Sequence, residues 1–162
     1  MADARTHSAS ITIAAPPVEV YALVSDVTRT GEWSPVCKAC WWDEADAPAP
    51  DVSPRIGAHF TGRNETADRT WETRSQVVVA DPGREFAWVV GQGFVRWAYT
   101  LEPARDGEAT VLTESWEFTP EGQAAFVQRY GDDADAQIEA RTAMAHEGIP
   151  ATLAAIRRIA EA

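Results

Sequence analysis

Long apolar runs, basic stretches and cysteine-rich patterns are all missing from this sequence of 162 residues. No apolar segment approaches the ~20 residues that a membrane-spanning helix requires, so we expect no membrane insertion. The formal net charge of −11 argues against nucleic acid as a partner, because phosphate groups bind basic surfaces. The first eight residues contain no apolar segment typical of a signal peptide, so we expect a cytoplasmic protein.

Cysteine and histidine are too few to predict a metal centre or a disulfide framework. The two cysteines, Cys37 and Cys40, have C-x-x-C spacing within a segment that we interpret as a strand. Residues three apart in a strand face opposite sides, so we interpret this spacing as coincidental. No second cysteine pair and no paired-histidine spacing completes a zinc site, and no nucleotide-binding fingerprint occurs. The sequence therefore predicts neither a metal nor a cofactor.

The composition and the patterns along the chain are typical of a globular protein. Apolar residues make up 45% of the chain and charged residues 24%, which is a globular composition, and the length of 162 residues predicts one domain over residues 1–162. A strand at 8–14 and a helix at 16–24 are followed by strands at 36–42, 58–64, 70–80, 84–90, 94–102 and 108–118. A short helix around 124–128 and a long helix from Asp133 to Ala160 complete the chain. Antiparallel strands grouped between helices indicate the α+β class.

Several segments resemble one known superfamily over nearly the whole chain. They are Ile11–Tyr21, Ser25–Val27, Glu32–Pro35, Ile56–Asn64, Trp97–Pro103 and Thr113–Trp116. In these segments the chain is similar to the SRPBCC or START-like superfamily, of the polyketide cyclase/dehydrase type. The resemblance implies a helix-grip fold, in which a curved antiparallel sheet of six or seven strands wraps round the long C-terminal helix. It also implies a cavity between the sheet and that helix.

Alternation along the strands separates a charged face from an inner face rich in tryptophan. The inner positions that we predict to bind a ligand are Phe60, Asn64, Trp71, Thr73, Ser75, Trp88, Trp97, Tyr99, Glu114 and Trp116. Any single tryptophan could simply fill the core, whereas four on one face favour an aromatic-lined pocket.

Glu114 is the most informative polar residue on this face. A buried carboxylate is costly unless it is hydrogen-bonded, so Glu114 either meets a partner such as Tyr99 or faces a wet cavity. A structural acid, or a register one residue away from ours, is the alternative. His146 could border the cavity from the long helix or lie on the surface. Glu114, Tyr99 and His146 are the candidates for acid–base chemistry.

Gly148-Ile149-Pro150 interrupts the pattern of the long helix, either as a bend over the cavity mouth or as a boundary between two helices.

Three functions agree with these features. The first is binding of a small apolar or aromatic metabolite. The second is a polyketide aromatase/cyclase or dehydratase-like enzyme that uses a cavity acid. The third is a regulatory or toxin-like protein that acts by protein contacts. The sequence favours binding, because no pair of residues with clear catalytic spacing is visible, and the other two functions are kept as alternatives. It predicts no oligomeric state.

Overall fold

The computed structural model describes residues 2–162, so residue 1 of the predicted domain lies outside the described residues. The strands are β1 Arg5–Ile13, β2 Cys37–Trp42, β3 His59–Glu65, β4 Thr70–Asp81, β5 Glu85–Val90, β6 Val95–Ala104 and β7 Ala109–Phe118. The α-helices are α1 Pro17–Val24, α2 Pro120–Tyr130 and α3 Ala134–Ala160. The α+β helix-grip fold predicted from the sequence is confirmed, with seven strands and a long C-terminal helix.

All seven strands form one antiparallel sheet in the order β1-β7-β6-β5-β4-β3-β2. Strands β3 to β7 are joined by short turns and pair with their neighbours in sequence. Gly83, in the β4–β5 turn, has φ of 78°, a conformation that favours glycine. The strands β1 and β2 lie at opposite edges, so the segment between them crosses the full width of the sheet.

The main core lies between α3 and one side of the sheet. The buried side chains Ile138, Ile149, Leu153 and Ile156 recur at helical spacing and pack towards β1 and β7. Full burial of each such side chain stabilises the fold by roughly 1.5–3 kcal/mol. Among residues 2–162, no helix combines the length and the apolar character needed to cross a bilayer.

Helix α3 is continuous through Pro150, so the interpretation of this segment as a boundary between two helices is wrong. Pro150 lies on the exposed side of the helix, where the His146 carbonyl that loses its amide partner can be hydrated. The proposed bend that gates the cavity stays a prediction.

Two β-bulges interrupt the regular alternation of side chains. One lies between Cys37 and Ala39 in β2, and the other between Val77 and Val79 in β4. A bulge adds one residue to one strand only, so the side chains beyond it exchange faces relative to a regular strand. The first bulge changes the site, as described below.

Candidate functional site

A cavity of about 480 Å³ lies between the inner face of the sheet and the helices. This volume falls within the ~300–1,000 Å³ typical of small-molecule sites. Strands β3 to β7 form one wall, and α2 together with residues 141–152 of α3 forms the other. The segment from Val24 to Cys40 contributes the remaining side.

The structure places most of the predicted ligand-binding residues on the cavity wall. These are Phe60, Asn64, Trp71, Thr73, Trp88, Trp97, Tyr99, Glu114 and Trp116. Ser75 is buried but does not reach the wall, contrary to its predicted position. It pairs with Phe60 on one side and Val90 on the other, and these larger side chains form the wall at that level.

His146 does not border the cavity, and its candidacy as a cavity acid or base is wrong. It lies on the exposed side of α3, where its ring stacks on that of His7 from β1 with centroids 3.9 Å apart. The preceding residue, Ala145, is buried and lines the cavity. Because successive helical residues are rotated by about 100°, the side chain at 146 points away from it.

Three tryptophans form a continuous row across the sheet. Trp88, Trp97 and Trp116 occupy directly paired positions on β5, β6 and β7. The rings of Trp88 and Trp97 are nearly parallel, with centroids 6.4 Å apart and an interplanar angle of 16°. Phe60 meets Trp88 edge-on, with a centroid distance of 6.1 Å. The row therefore offers an extended aromatic surface to a flat, apolar molecule.

Glu114 and Tyr99 form the polar part of the deep wall. They are directly paired on β7 and β6, and only 4% of Glu114 and 3% of Tyr99 is exposed. Burial raises the pKa of Glu114 to about 8, and a hydrogen bond from the Tyr99 hydroxyl partly opposes that rise. Burial and the Glu114 charge raise the pKa of Tyr99 well above its ordinary value, and Trp33 acts in the opposite direction. At neutral pH the Glu114 carboxyl is thus mostly protonated and can donate a hydrogen bond.

Three arginines gather where α2 and α3 meet the cavity. Arg69, Arg129 and Arg141 all line it, and the guanidinium carbons of Arg69 and Arg141 lie 4.8 and 4.7 Å from the centre of the Trp71 ring. Within residues 2–162, none of the three has a carboxylate at salt-bridge distance. Burial and the Arg69 charge lower the pKa of Arg141. An acidic protein thus holds unpaired positive charge at its cavity.

Sequence comparison decides the family. Residues 4–145 match the family described as polyketide cyclase / dehydrase and lipid transport. The chain belongs to this family.

Solved structures of similar proteins agree with that assignment. The Polyketide_cyc-like protein Cgl2372 from Corynebacterium glutamicum is 57% identical, with 98% of this chain and 93% of that chain covered and a TM-score of 0.67. The ZhuI aromatase/cyclase from Streptomyces sp. R1128 is 19% identical, with 98% and 94% covered and a TM-score of 0.69. The di-domain aromatase/cyclase StfQ of the steffimycin pathway is 17% identical, with 98% and 49% covered and a TM-score of 0.63. The last two show a shared fold. No curated protein matches the chain.

The two cysteines of this polyketide cyclase-family protein also lie on the cavity wall. The β2 bulge brings both sulfurs to one side, where Cys37 Sγ and Cys40 Sγ are 3.3 Å apart. The expectation that they face opposite sides of the strand is therefore wrong. Regular alternation does not continue across a bulge, and nothing in the sequence of β2 marks its position.

A cluster of Asp43, Asp46 and His59 lies outside the cavity wall. Its potential metal-ligand atoms are within 4.8 Å of one another. Arg74 donates to both carboxylate oxygens of Asp43 at 3.0 and 2.6 Å, and Arg55 pairs with Asp46. The carboxylate of Asp46 also accepts the backbone N–H of His59. These ion pairs account for the cluster, so we assign it no part in the site.

Several residues of the wall were missed by sequence analysis. Trp33 follows a short 3₁₀ segment at Val27–Glu32, outside the strands on which alternation was used. Arg141 shares a face of α3 with Ala145, four residues later, so helical spacing could have placed it there. The positions of Arg69 and Arg129 depend on tertiary packing, and no local pattern marks them.

Proposed function

We propose that this protein binds a small, largely apolar or aromatic molecule in the cavity. The observation that carries the proposal is the wall itself, in which the paired Trp88, Trp97 and Trp116 border a space of about 480 Å³. Aromatic rings supply large contact areas with few hydrogen-bonding demands, which suits a flat apolar ligand. The family description, which includes lipid transport, supports the same class of ligand.

The polar groups of the wall narrow the chemistry of this ligand. The protonated Glu114 carboxyl favours a carbonyl or ether oxygen at the deep end, since a neutral acid donates a hydrogen bond. The unpaired Arg69, Arg129 and Arg141 favour a carboxylate or another anionic group at the other end, because guanidinium groups bind planar anions. The favoured ligand is therefore an aromatic acid with a hydrogen-bond acceptor on its ring system.

Tryptophan fluorescence tests the proposal directly. We expect saturable quenching or a spectral shift on titration with members of a panel of polycyclic aromatic acids, flavonoids and fatty acids. A His146→Ala variant serves as the matched control, since this side chain lies outside the cavity and should not change affinity. If no member of the panel changes the emission, and native mass spectrometry of freshly purified protein finds no bound small molecule, the binding function is refuted.

An aromatase/cyclase-like reaction is the second candidate, favoured by the buried pair of Glu114 and Tyr99. A carboxyl with a pKa of about 8 can donate a proton to a carbonyl oxygen or, once ionised, accept one. The fold shared with ZhuI supports this candidate, although activity does not follow from fold. Turnover of a poly-β-ketone that is lost in Glu114→Gln, while its binding persists, would support the enzyme. Unchanged turnover in that variant would exclude Glu114 as the acid or base.

The regulatory or toxin-like function and the cytoplasmic location expected from the sequence stay predictions.

A further inference from the structure

The cysteine pair is a chemical feature of the cavity wall that ligand binding does not use. Cys37 and Cys40 are both half-buried, and their sulfurs lie in contact at 3.3 Å. Strand β2, which carries them, is an edge strand with β3 as its neighbour on one side. The bulge between Cys37 and Ala39 gives this part of the backbone an irregular conformation. Both thiols line the cavity and can therefore be reached from it.

The neighbouring strand leaves space for the two sulfurs. Gly62 of β3 is paired with Cys40, and a Cβ atom at this position would lie 3.3 Å from Cys37 Sγ and 3.5 Å from Cys40 Sγ. The first of these contacts is tight, so a side chain at 62 would displace the Cys37 thiol. The absence of a side chain at Gly62 allows the sulfurs to share one pocket and to approach each other.

The two thiols are not equivalent. A hydrogen bond from the Cys40 thiol is the largest cause that lowers the pKa of Cys37, and the backbone of Arg63 and the charge of Lys38 act in the same direction. The same interaction with Cys37, together with burial, raises the pKa of Cys40. Cys37 is thus the better nucleophile, because the thiolate is the reactive form.

We propose that Cys37 and Cys40 are a peroxide-oxidisable dithiol that closes to an intramolecular disulfide in the cavity wall. The Cys37 thiolate attacks one oxygen of hydrogen peroxide, an S–O bond forms and the O–O bond breaks, so that Cys37 becomes a sulfenic acid. The released hydroxide takes up the proton that the Cys37 thiol lost on ionisation and becomes water. Cys40 then attacks the Cys37 sulfur, the S–S bond forms, and the S–O bond breaks. The departing hydroxide takes the Cys40 proton as water. In total, two thiols lose two electrons and one peroxide is reduced to two waters.

The geometry favours closure within one chain. A disulfide bond is about 2.05 Å long, so the sulfurs must approach by about 1.3 Å from their present 3.3 Å. A thiol held in contact reacts far faster than one that must diffuse to its partner. Once Cys37 has become a sulfenic acid, the interaction that raises the pKa of Cys40 is lost, which makes Cys40 available for the second step.

Intact mass and thiol titration of the wild-type protein test this site without a variant. After exposure to equimolar hydrogen peroxide, we expect a loss of two hydrogen atoms per chain. Titratable thiols in denaturant should fall from two to none, the chain should stay monomeric on a non-reducing gel, and dithiothreitol should restore both thiols. Persistence of both thiols, or a disulfide between chains instead of within one, would overturn the proposal.

Single variants test the order of the two steps. In Cys40→Ser, oxidation should stop at a Cys37 sulfenic acid that dimedone traps, whereas in Cys37→Ser burial still raises the pKa of Cys40, so the remaining thiol should be trapped more slowly. Equal trapping in both variants would refute the assignment of Cys37 as the nucleophile. Circular dichroism confirms that each variant is folded. Because the readout is thiol chemistry, its outcome does not depend on whether any ligand binds the cavity.

Discussion

Replacement of Glu114 by glutamine should change how the stability of the fold depends on pH. Glutamine keeps the size of the side chain and its capacity to hydrogen-bond with Tyr99, and it removes the ionisable group. The two proteins should therefore share one fold and differ mainly in the cost of a buried negative charge. The comparison isolates that cost, because every other titrating group is common to both.

The magnitude follows from the raised pKa. Burial raises the pKa of Glu114 from its ordinary 4.5 to about 8 in the fold. At about 1.4 kcal/mol per pKa unit, ionisation of Glu114 inside the fold costs at most about 5 kcal/mol relative to the unfolded chain. Because the folded pKa is the higher one, the unfolded chain releases this proton first. The stability that the fold gains from a protonated Glu114 is fully present below pH 4.5, falls between pH 4.5 and 8, and is lost above pH 8.

Urea denaturation at a series of pH values measures this difference. We expect the free energy of unfolding of Glu114→Gln, minus that of the wild type, to increase from about pH 4 to about pH 9 by up to about 5 kcal/mol. The maximal slope is about 1.4 kcal/mol per pH unit. A His146→Ala variant, altered at an exposed position, provides the control for a substitution outside the cavity. Parallel curves for wild type and Glu114→Gln would refute the buried, protonated state of Glu114.

Other substitutions test the cavity and the packing. Arg141→Gln should weaken binding of an aromatic carboxylate by about 10- to 100-fold in calorimetry, since a charged hydrogen bond contributes ~1.5–3 kcal/mol. The affinity for the neutral amide of the same ligand should not change. An equal loss of affinity for both ligands would refute an anion site. Gly122→Ala should destabilise the fold by roughly 1–3 kcal/mol, because its Cβ would overlap the Phe94 carbonyl, whereas Gly148→Ala should stabilise it by up to about 1 kcal/mol. Equal changes in the urea midpoint for Gly122→Ala and Gly148→Ala would contradict the close packing at Gly122. Thr119→Ala should lower the free energy of unfolding by about 1 kcal/mol through loss of the α2 N-cap, and an unchanged free energy would show that the cap contributes nothing.

The architecture could be predicted from the sequence because its signals are local. Strands β3 to β7 are short, alternate regularly and are separated by turn residues, so their bounds agree within a few residues. The first strand was predicted to begin at residue 8, yet it begins at Arg5. Its added residues are polar, and they belong to the strand because they pair with β7, a partner more than 100 residues away. Propensity alone does not show such pairing.

The candidate site could likewise be predicted only where its signals are local. Alternation correctly predicted that Trp88, Trp97 and Trp116 lie on one face, since successive side chains of a regular strand point to opposite faces. It failed at Cys37 and Cys40, where a bulge adds a residue to the strand. Whether a side chain reaches a cavity depends on the sizes of its neighbours, as with Ser75. The arginines come from a loop and two helices, so their convergence depends on tertiary packing.

The position of β1 at the far edge of the sheet has a consequence for synthesis of the chain. Ser10 pairs with Thr113, 103 residues later, so β1 leaves the ribosome long before its strand partner β7 exists. At ~5–20 residues per second, the interval is about 5–20 s. During this time Ile11 and Ile13 have no sheet to join, while the hairpins of β3 to β6 can already form. The first strand made is therefore the last to be incorporated, and the nascent chain is most exposed to misassociation before β7 emerges.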